Sequence, residues 1–372
     1  MTEGVKPLRF FLGANTPRGF VSRFDQLERR EDGWNRVIIK GGPGTGKSSL
    51  MKKIADAFLE DAEPEGSGVV EEIHCSSDCA SLDGVILHGI RTSIADGTAP
   101  HTLEPKYHGA YDTTLNLSEC WDEDLLRRNR EEIMALSKQI SSLHAQSSRF
   151  LAAYGALNGD NMRIALEATD VHKAAEYARR FASRELHGAP RCAQPHEDVR
   201  FLSAISDKGV VVFEETARIL AERIFVIEDP WGASARILLG QVRRLALERG
   251  LDVISCYCPT DPDTRLEHLF IPALSIGLMT RNRIHPLDLT PYRVIHARRF
   301  TDMEAMRLRK QRLAFNRRGA AEMLRESTRC LSEAKALHDA LESYYIEAMD
   351  FSLAEEKLRH LLRRLRQEQA NG

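Results

Sequence analysis

A short β-branched run, Val37-Ile38-Ile39, leads directly into Gly41-Gly42-Pro43-Gly44-Thr45-Gly46-Lys47-Ser48. Apolar residues then recur at helical spacing at Leu50, Met51, Ile54 and Phe58. Strand, glycine-rich turn and helix in that order confine this part of the chain to an α/β unit. The turn fits G-x-x-x-x-G-K-[ST], the phosphate-binding loop. Glycines let main-chain N–H groups converge on an anion without Cβ obstruction, and the following helix points its positive end at the same anion. Lys47 supplies a point charge to the β- and γ-phosphates, and the Ser48 hydroxyl can ligate Mg²⁺. Gly41, Gly42, Pro43, Gly44, Thr45, Gly46, Lys47, Ser48 and Ser49 are therefore the expected nucleotide contacts, with ATP and Mg²⁺ as the expected ligands.

Such a loop needs an acidic magnesium partner at a neighbouring strand end. Ser93-Ile94-Ala95-Asp96-Gly97 supplies one after an intervening strand, Val69–His74, so Ser48 and Asp96 form the expected metal pair. Lys47, Asp96 and His101 are the expected catalytic residues, His101 acting on a proton or a phosphate. Gly97 stands where many ring-forming and motor ATPases carry a water-activating glutamate, so that role must be filled from elsewhere. Asp78 and Asp83 are read as a loop and a helix start after the second strand, with Asp78 or Ser81 as the helix cap.

The chain has 372 residues, 42% of them hydrophobic, and 52 Lys and Arg against 54 Asp and Glu. That is enough apolar material for two or three domains, and a net charge of −2 gives no global pull toward nucleic acid or anionic lipid. No run approaches the ~18 apolar residues that a membrane span requires, and the polar stretch Met1–Lys6 does not open a signal peptide. The expectation is a cytoplasmic protein without a membrane partner. Its seven cysteines are expected to be reduced thiols, since Cys75 with Cys79 and Cys256 with Cys258 lack zinc-ribbon or thioredoxin spacing.

The second half echoes the first. Arg36-Val37-Ile38-Ile39 matches Arg223-Ile224-Phe225-Val226, His74 to Asp78 matches Tyr257 to Asp261, and Leu82-Asp83 and His101 match Leu266-Glu267 and His285, all at offsets of 183 to 187. Phe11-Leu12-Gly13-Ala14 matches Phe201-Leu202-Ser203-Ala204 at 190. This is an internal duplication. In the echo, Gly46-Lys47-Ser48 falls on Ala233-Ser234-Ala235 and Gly44 on Trp231, so the second loop has lost its lysine. The segment Phe10–Phe20 reads as a turn placed before the loop.

Amphipathic helical stretches follow each core. Leu126, Ile133, Leu136, Ile140 and Leu143 mark the first, a hairpin reaching about Glu185 and broken at Asn158-Gly159-Asp160-Asn161. The last runs from Thr301 to Gln369 with a turn near Gly319. Its cluster Arg307, Arg309, Lys310, Arg312, Arg317 and Arg318 offers a surface to nucleic acid or an acidic partner. The balance over 298–372, 16 Lys and Arg against 12 Asp and Glu, reads instead as an ordinary solvated face. The expected organisation is an α/β unit with the intact loop over 1–115, a helical hairpin over 116–186, a linker over 187–198, a degenerate unit over 199–297 and a helical segment over 298–372.

Phe11-Leu12-Gly13-Ala14-Asn15-Thr16, the glycine-rich loop, Cys75-Ser76-Ser77-Asp78 through Val85, and Asp96-Gly97-Thr98-Ala99-Pro100-His101 together resemble a family of bacterial tandem P-loop proteins described as ATP-binding proteins, ATPases or nucleotide kinases. The resemblance covers nearly the whole chain. It implies an α/β fold of two tandem P-loop NTPase-like units, each a parallel sheet flanked by helices and followed by a helical segment. In that family the second unit can carry its own Gly-Lys-Ser or Gly-Lys-Thr loop, and here it does not. The function expected is Mg-dependent ATP hydrolysis at the first unit, with the second unit structural or regulatory. Two alternatives stand beside it. One is a nucleotide or small-metabolite kinase with Asp78, Asp83, Arg91 and His101 facing an unknown acceptor. The other is a nucleotide-gated protein that captures a protein partner through its helical arms.

Overall fold

The computed structural model describes residues 5–28, 33–61 and 70–371; Val69, at the expected start of the second strand, lies outside them. Along the chain, β1 (Leu8–Phe10) precedes a hairpin of β2 (Gly13–Thr16) and β3 (Gly19–Ser22), then β4 (Asn35–Lys40), the glycine-rich loop and α1 (Lys47–Glu60). The strands β5 (Val70–His74), β6 (Leu82–Leu87), β7 (Thr92–Asp96) and β8 (Asp112–Asn116) follow, then α2 (Glu123–Arg128), α3 (Arg130–Glu167) and α4 (Val171–Glu185). The second half opens with β9 (Glu197–Arg200), β10 (Ser203–Ser206), β11 (Gly209–Val212), α5 (Glu214–Leu220), β12 (Arg223–Glu228) and α6 (Ala233–Glu248). It closes with β13 (Val253–Cys258), β14 (Asp261–Ile271), β15 (Ile276–Arg281), β16 (Arg293–His296), α7 (Met303–Leu308), α8 (Lys310–Ala348) and α9 (Phe351–Asn371).

Two six-stranded sheets result, ordered β1-β5-β6-β7-β4-β8 and β9-β13-β14-β15-β12-β16. They repeat one another strand for strand. Each is mixed rather than parallel, because β6 and β14 run antiparallel to both neighbours while every other pairing is parallel. The cause is the short connection after β5. Residues 75–81 suffice for a hairpin, whereas a parallel return needs a crossover of about a dozen residues. Asp83 consequently lies in a strand, not at a helix start, and Asp78 caps a tight turn. Its carboxylate accepts from the Ala80 N–H at 3.1 Å and the Ser81 hydroxyl at 2.9 Å.

The chain divides into two compact units. One comprises Met1–Gly13, Ser22–Gln146 and Arg329–Gly372; the other comprises Ala14–Val21 and Ser147–Thr328. In the first, Val37 and Ile39 of β4 share a core with Leu50, Met51, Ile54 and Phe58 of α1 and with Leu358, Leu361 and Leu365 of α9. In the second, Phe225 and Ile227 of β12 share a core with Leu238, Leu239 and Val242 of α6 and with Ala178, Phe181 and Ala182 of α4. Thus α4, which follows the first sheet in sequence, packs in the second unit, and α9 packs in the first. The compact units therefore cut across the serial boundaries 1–115, 116–186, 187–198, 199–297 and 298–372. An amphipathic helix buries its stripe against whichever sheet-and-helix surface lacks a cover, not against its neighbour in sequence.

Neither expected helix break occurs. Helix α3 runs unbroken through Asn158-Gly159-Asp160-Asn161, and α8 runs past Gly319. An interior glycine costs a helix only about 1 kcal/mol, and packing in the second unit offsets it. Asp160 accepts from Arg312 at 2.6 and 2.8 Å and from Asn316 at 2.7 Å. A Cβ on Gly319 would lie 3.0 Å from Leu157, so the small residue permits close approach. The helices end instead before Asp170 and Asp350, whose carboxylates accept from the N–H groups of Lys173 and Ser352, both at 2.9 Å. The β2–β3 hairpin turns at Pro17-Arg18, and its tip belongs to the second unit. There Asn15 donates to the Ile205 carbonyl at 3.0 Å and Arg18 pairs with Asp263. All seven cysteines are free thiols. Among the described residues no helix is long and apolar enough to cross a membrane.

Candidate functional site

Strand β4 ends at Lys40 and α1 begins at Lys47, so the glycine-rich loop emerges at the carboxyl end of the sheet. Gly44 and Gly46 have φ of 68° and 84°, a region that β-carbon-bearing residues enter at a cost. A Cβ on Gly41 would lie 2.7 Å from the Thr45 hydroxyl, which itself donates to the Gly42 carbonyl at 2.8 Å. Lys47 folds back across the loop. Its ammonium donates to the carbonyls of Gly41 at 2.8 Å and Gly42 at 2.6 Å and lies 3.6 Å from the Asp96 carboxylate. The Ser48 hydroxyl oxygen accepts from the Leu82 N–H at 3.0 Å. Ser49 points to solvent on the first turn of α1.

Strand β7 lies parallel to β4 with Asp96 opposite Ile39. That register brings the carboxylate to the loop. One of its oxygens accepts from the Thr98 N–H at 2.8 Å and hydroxyl at 2.5 Å, and the other faces Lys47. Gly97 has a steric reason. A Cβ there would stand 2.4 Å from Ile38 Cγ2 and 3.1 Å from the Leu103 carbonyl oxygen, so no glutamate fits at that position. Gly97→Ala is expected to cost about 1–3 kcal/mol of stability through overpacking, read as a lower denaturant midpoint; an unchanged midpoint would refute the steric account. Lys40 pins the segment that follows, donating to the carbonyls of Gly97 at 2.9 Å and Leu103 at 2.7 Å.

His101 is buried beside this group. Its Nε2 lies 3.1 Å from Asp83 Oδ2, and the Phe24 ring stacks over it at 4.2 Å. Burial opposes the imidazolium charge, but the Asp83 carboxylate, with help from Asp96, outweighs it and holds the His101 pKa above 6.5. A raised histidine pKa contributes stability that is complete below the unfolded value and is lost as pH rises through the folded one. Denaturant midpoints between about pH 5 and pH 9 should fall over that window in the wild type and lose this step in Asp83→Asn; parallel profiles would contradict it.

The remaining acceptor-facing candidates separate. Asp78 is held near Lys335, 3.5 Å away. Arg91 sits at the opposite end of the sheet, before β7, with its carbonyl accepting from the Asn35 N–H at 2.8 Å. Other residues come to the loop from the far end of the chain. The Gly44 N–H donates to the Glu342 carboxylate at 3.3 Å. A Cβ on Gly42 would meet the Tyr345 ring at 2.7 Å, and one on Gly44 the Glu342 carbonyl oxygen at 2.7 Å. Trp121 packs against Tyr345, ring centroids 5.8 Å apart.

The second loop aligns differently from the sequence reading. Gly46 and Gly232 both precede their helix in a left-handed conformation, with φ of 84° and 76°, so Lys47 corresponds to Ala233 and Ser48 to Ser234. Measured from the ends of β4 and β12, the second loop is two residues shorter. Its amides are already engaged, because the buried Asp229 carboxylate accepts from the N–H groups of Trp231 at 3.1 Å and Ala235 at 2.9 Å. Burial outweighs these bonds and raises the Asp229 pKa. The Arg265 guanidinium, bonded to Glu267 at 2.7 Å, lies where a Cβ on Gly232 would meet it at 2.6 Å. Cys258, Glu267 and His285 bring their ligand atoms within 4.8 Å of one another, but Arg265 already neutralises the carboxylate. No family model, no curated protein and no solved structure matches the chain.

Proposed function

We propose that the first unit binds ATP with Mg²⁺ at Gly41–Ser48 and hydrolyses it, as a P-loop NTPase-like unit, while the second unit is structural or regulatory. The observation that carries this reading is the convergence of Lys47, the loop and Asp96 at one strand end, with Lys47 3.6 Å from the Asp96 carboxylate. The loop accepts anions in kind, since a carboxylate already sits on the Gly44 amide. Ser48 and Asp96 fit a magnesium ion, offering a hydroxyl and a carboxylate beside the phosphate position. The ion, when bound, would neutralise charge on the β- and γ-phosphates. Lys47 would turn its ammonium from the two carbonyls to the phosphates, and the loop amides would orient them. The Asp83 carboxylate 3.1 Å from His101 favours its protonated form and so supports a role for the imidazole in handling a proton or a phosphate.

Gly97 favours a second reading, a kinase, because a water-activating glutamate is sterically excluded there. One assay separates the two. The full chain is incubated with ATP and Mg²⁺, and ADP is followed with and without nucleoside monophosphates or a panel of small hydroxylated metabolites. Acceptor-independent ADP formation supports hydrolysis, and acceptor-dependent formation supports the kinase. Failure to bind ATP at all overturns both.

A further inference from the structure

The second unit holds a partly open cavity of about 570 Å³ whose lining contains no carboxylate. Five cations face it: Arg265, Arg283, Arg307, Lys310 and Arg317. Glu267 neutralises Arg265, and the nearest acid to Arg307 is Glu304, 3.9 Å away on the exposed side. Arg283, Lys310 and Arg317 have no ion-pair partner among the described residues. The sequence's basic cluster is thus divided. Arg312 is consumed by Asp160, while Arg307 of α7 and Lys310 and Arg317 of α8 line the cavity. Unpaired like charges around a concave apolar site repel one another and attract anions. Arginine forks match phosphate oxygens in particular.

The rest of the lining is largely apolar, with Trp231, Ile284, Met306 and Leu313 among it. Trp231 is half-buried, packs against the buried cluster of Ile164, Ala165, Ala233 and Met306, and lines the cavity, where its indole offers a stacking surface. The amide cradle beneath is unavailable because Asp229 fills it. We propose that this cavity binds a small ligand bearing two or more phosphates and a planar ring, the nucleotide class. It would use side-chain cations and indole stacking in place of loop amides. The site is independent of Gly41–Ser48.

The test uses full-length Lys47→Ala protein, titrated at low salt with ATP and separately with tripolyphosphate, by calorimetry and tryptophan fluorescence. One binding event is expected for each probe, with the ATP-induced fluorescence change lost in Trp231→Phe. Arg283→Glu combined with Lys310→Glu, both at exposed positions, should weaken both probes at least ~10-fold. Trp231→Phe should weaken ATP and leave tripolyphosphate unchanged. No binding of either probe up to about 1 mM, or binding indifferent to the charge reversals, overturns the site. ATP binding no more tightly than tripolyphosphate overturns the ring. Failure of the first-loop assignment looks different: the wild type and Lys47→Ala would then give identical ATP isotherms.

Discussion

Lys47→Ala is expected to weaken ATP binding at the first loop by roughly two orders of magnitude, with the wild-type fold retained. The ammonium is spent on two neutral carbonyls, Gly41 and Gly42. If the loop binds ATP as proposed, those bonds would exchange for bonds to phosphate oxygens, and a charged hydrogen bond is worth about 1.5–3 kcal/mol. Two such bonds, offset by the carbonyl bonds given up, leave a few kcal/mol that alanine cannot supply. Ser234→Ala is the matched control. It stands at the Ser48 position of the second loop, its hydroxyl is buried without a hydrogen-bond partner among the described residues, and removing it should leave nucleotide affinity unchanged. Trp121, packed on the Tyr345 that covers Gly42, is the local reporter, and in a Trp231→Phe background its fluorescence follows this loop apart from the cavity of the second unit. Equal affinities in wild type and Lys47→Ala by that reporter would remove the site.

What the residues disclose in advance is local chemistry. The run Val37–Ile39, the glycines and the apolar helix spacing announce β4, the loop and α1 because each is specified by neighbours in sequence. Asp96 is legible for the same reason: it ends a strand, and strand ends gather where the loop emerges. Direction is not legible. Apolar alternation is identical in parallel and antiparallel strands, so β6 reads wrongly as a helix start at Asp83, and only the short 75–81 connection tells otherwise. Helix continuity through Asn158–Asn161 and Gly319 depends on Arg312, Asn316 and Leu157, tertiary partners that override local propensity. The second loop's alignment is set by the left-handed glycine Gly232, a backbone property that a side-chain match with Ala233 cannot carry. The crossing of α4 and α9 between units leaves no local mark, since an amphipathic stripe records that a helix is buried and not where.

Glu342→Gln should tighten ATP binding at the first loop about 10-fold, the equivalent of about 1.4 kcal/mol. Glu342 lies 298 residues from Gly44 in sequence, yet its carboxylate accepts from the Gly44 amide at 3.3 Å. A phosphate bound by that amide needs the same N–H, and two anions cannot share it. ATP bound there as proposed would have to displace the carboxylate, and the nucleotide's own negative charge would oppose any binding that left Glu342 in place. Glutamine keeps the size and the acceptor and removes the charge, so only the electrostatic part of the competition is lost. The side chain is 35% exposed, so solvent screens the repulsion and the gain is held to about one decade, shrinking further as salt rises. Turnover gives the complementary measurement. If the displaced carboxylate goes on to orient water, taking the place that Gly97 cannot, Glu342→Gln will bind ATP more tightly and consume it more slowly. If it only competes with phosphate, turnover at saturating ATP will be unchanged. Affinity that stays at the wild-type value at low salt would mean that the carboxylate leaves the amide without cost, and that the end of α8 does not contend with the nucleotide for the loop.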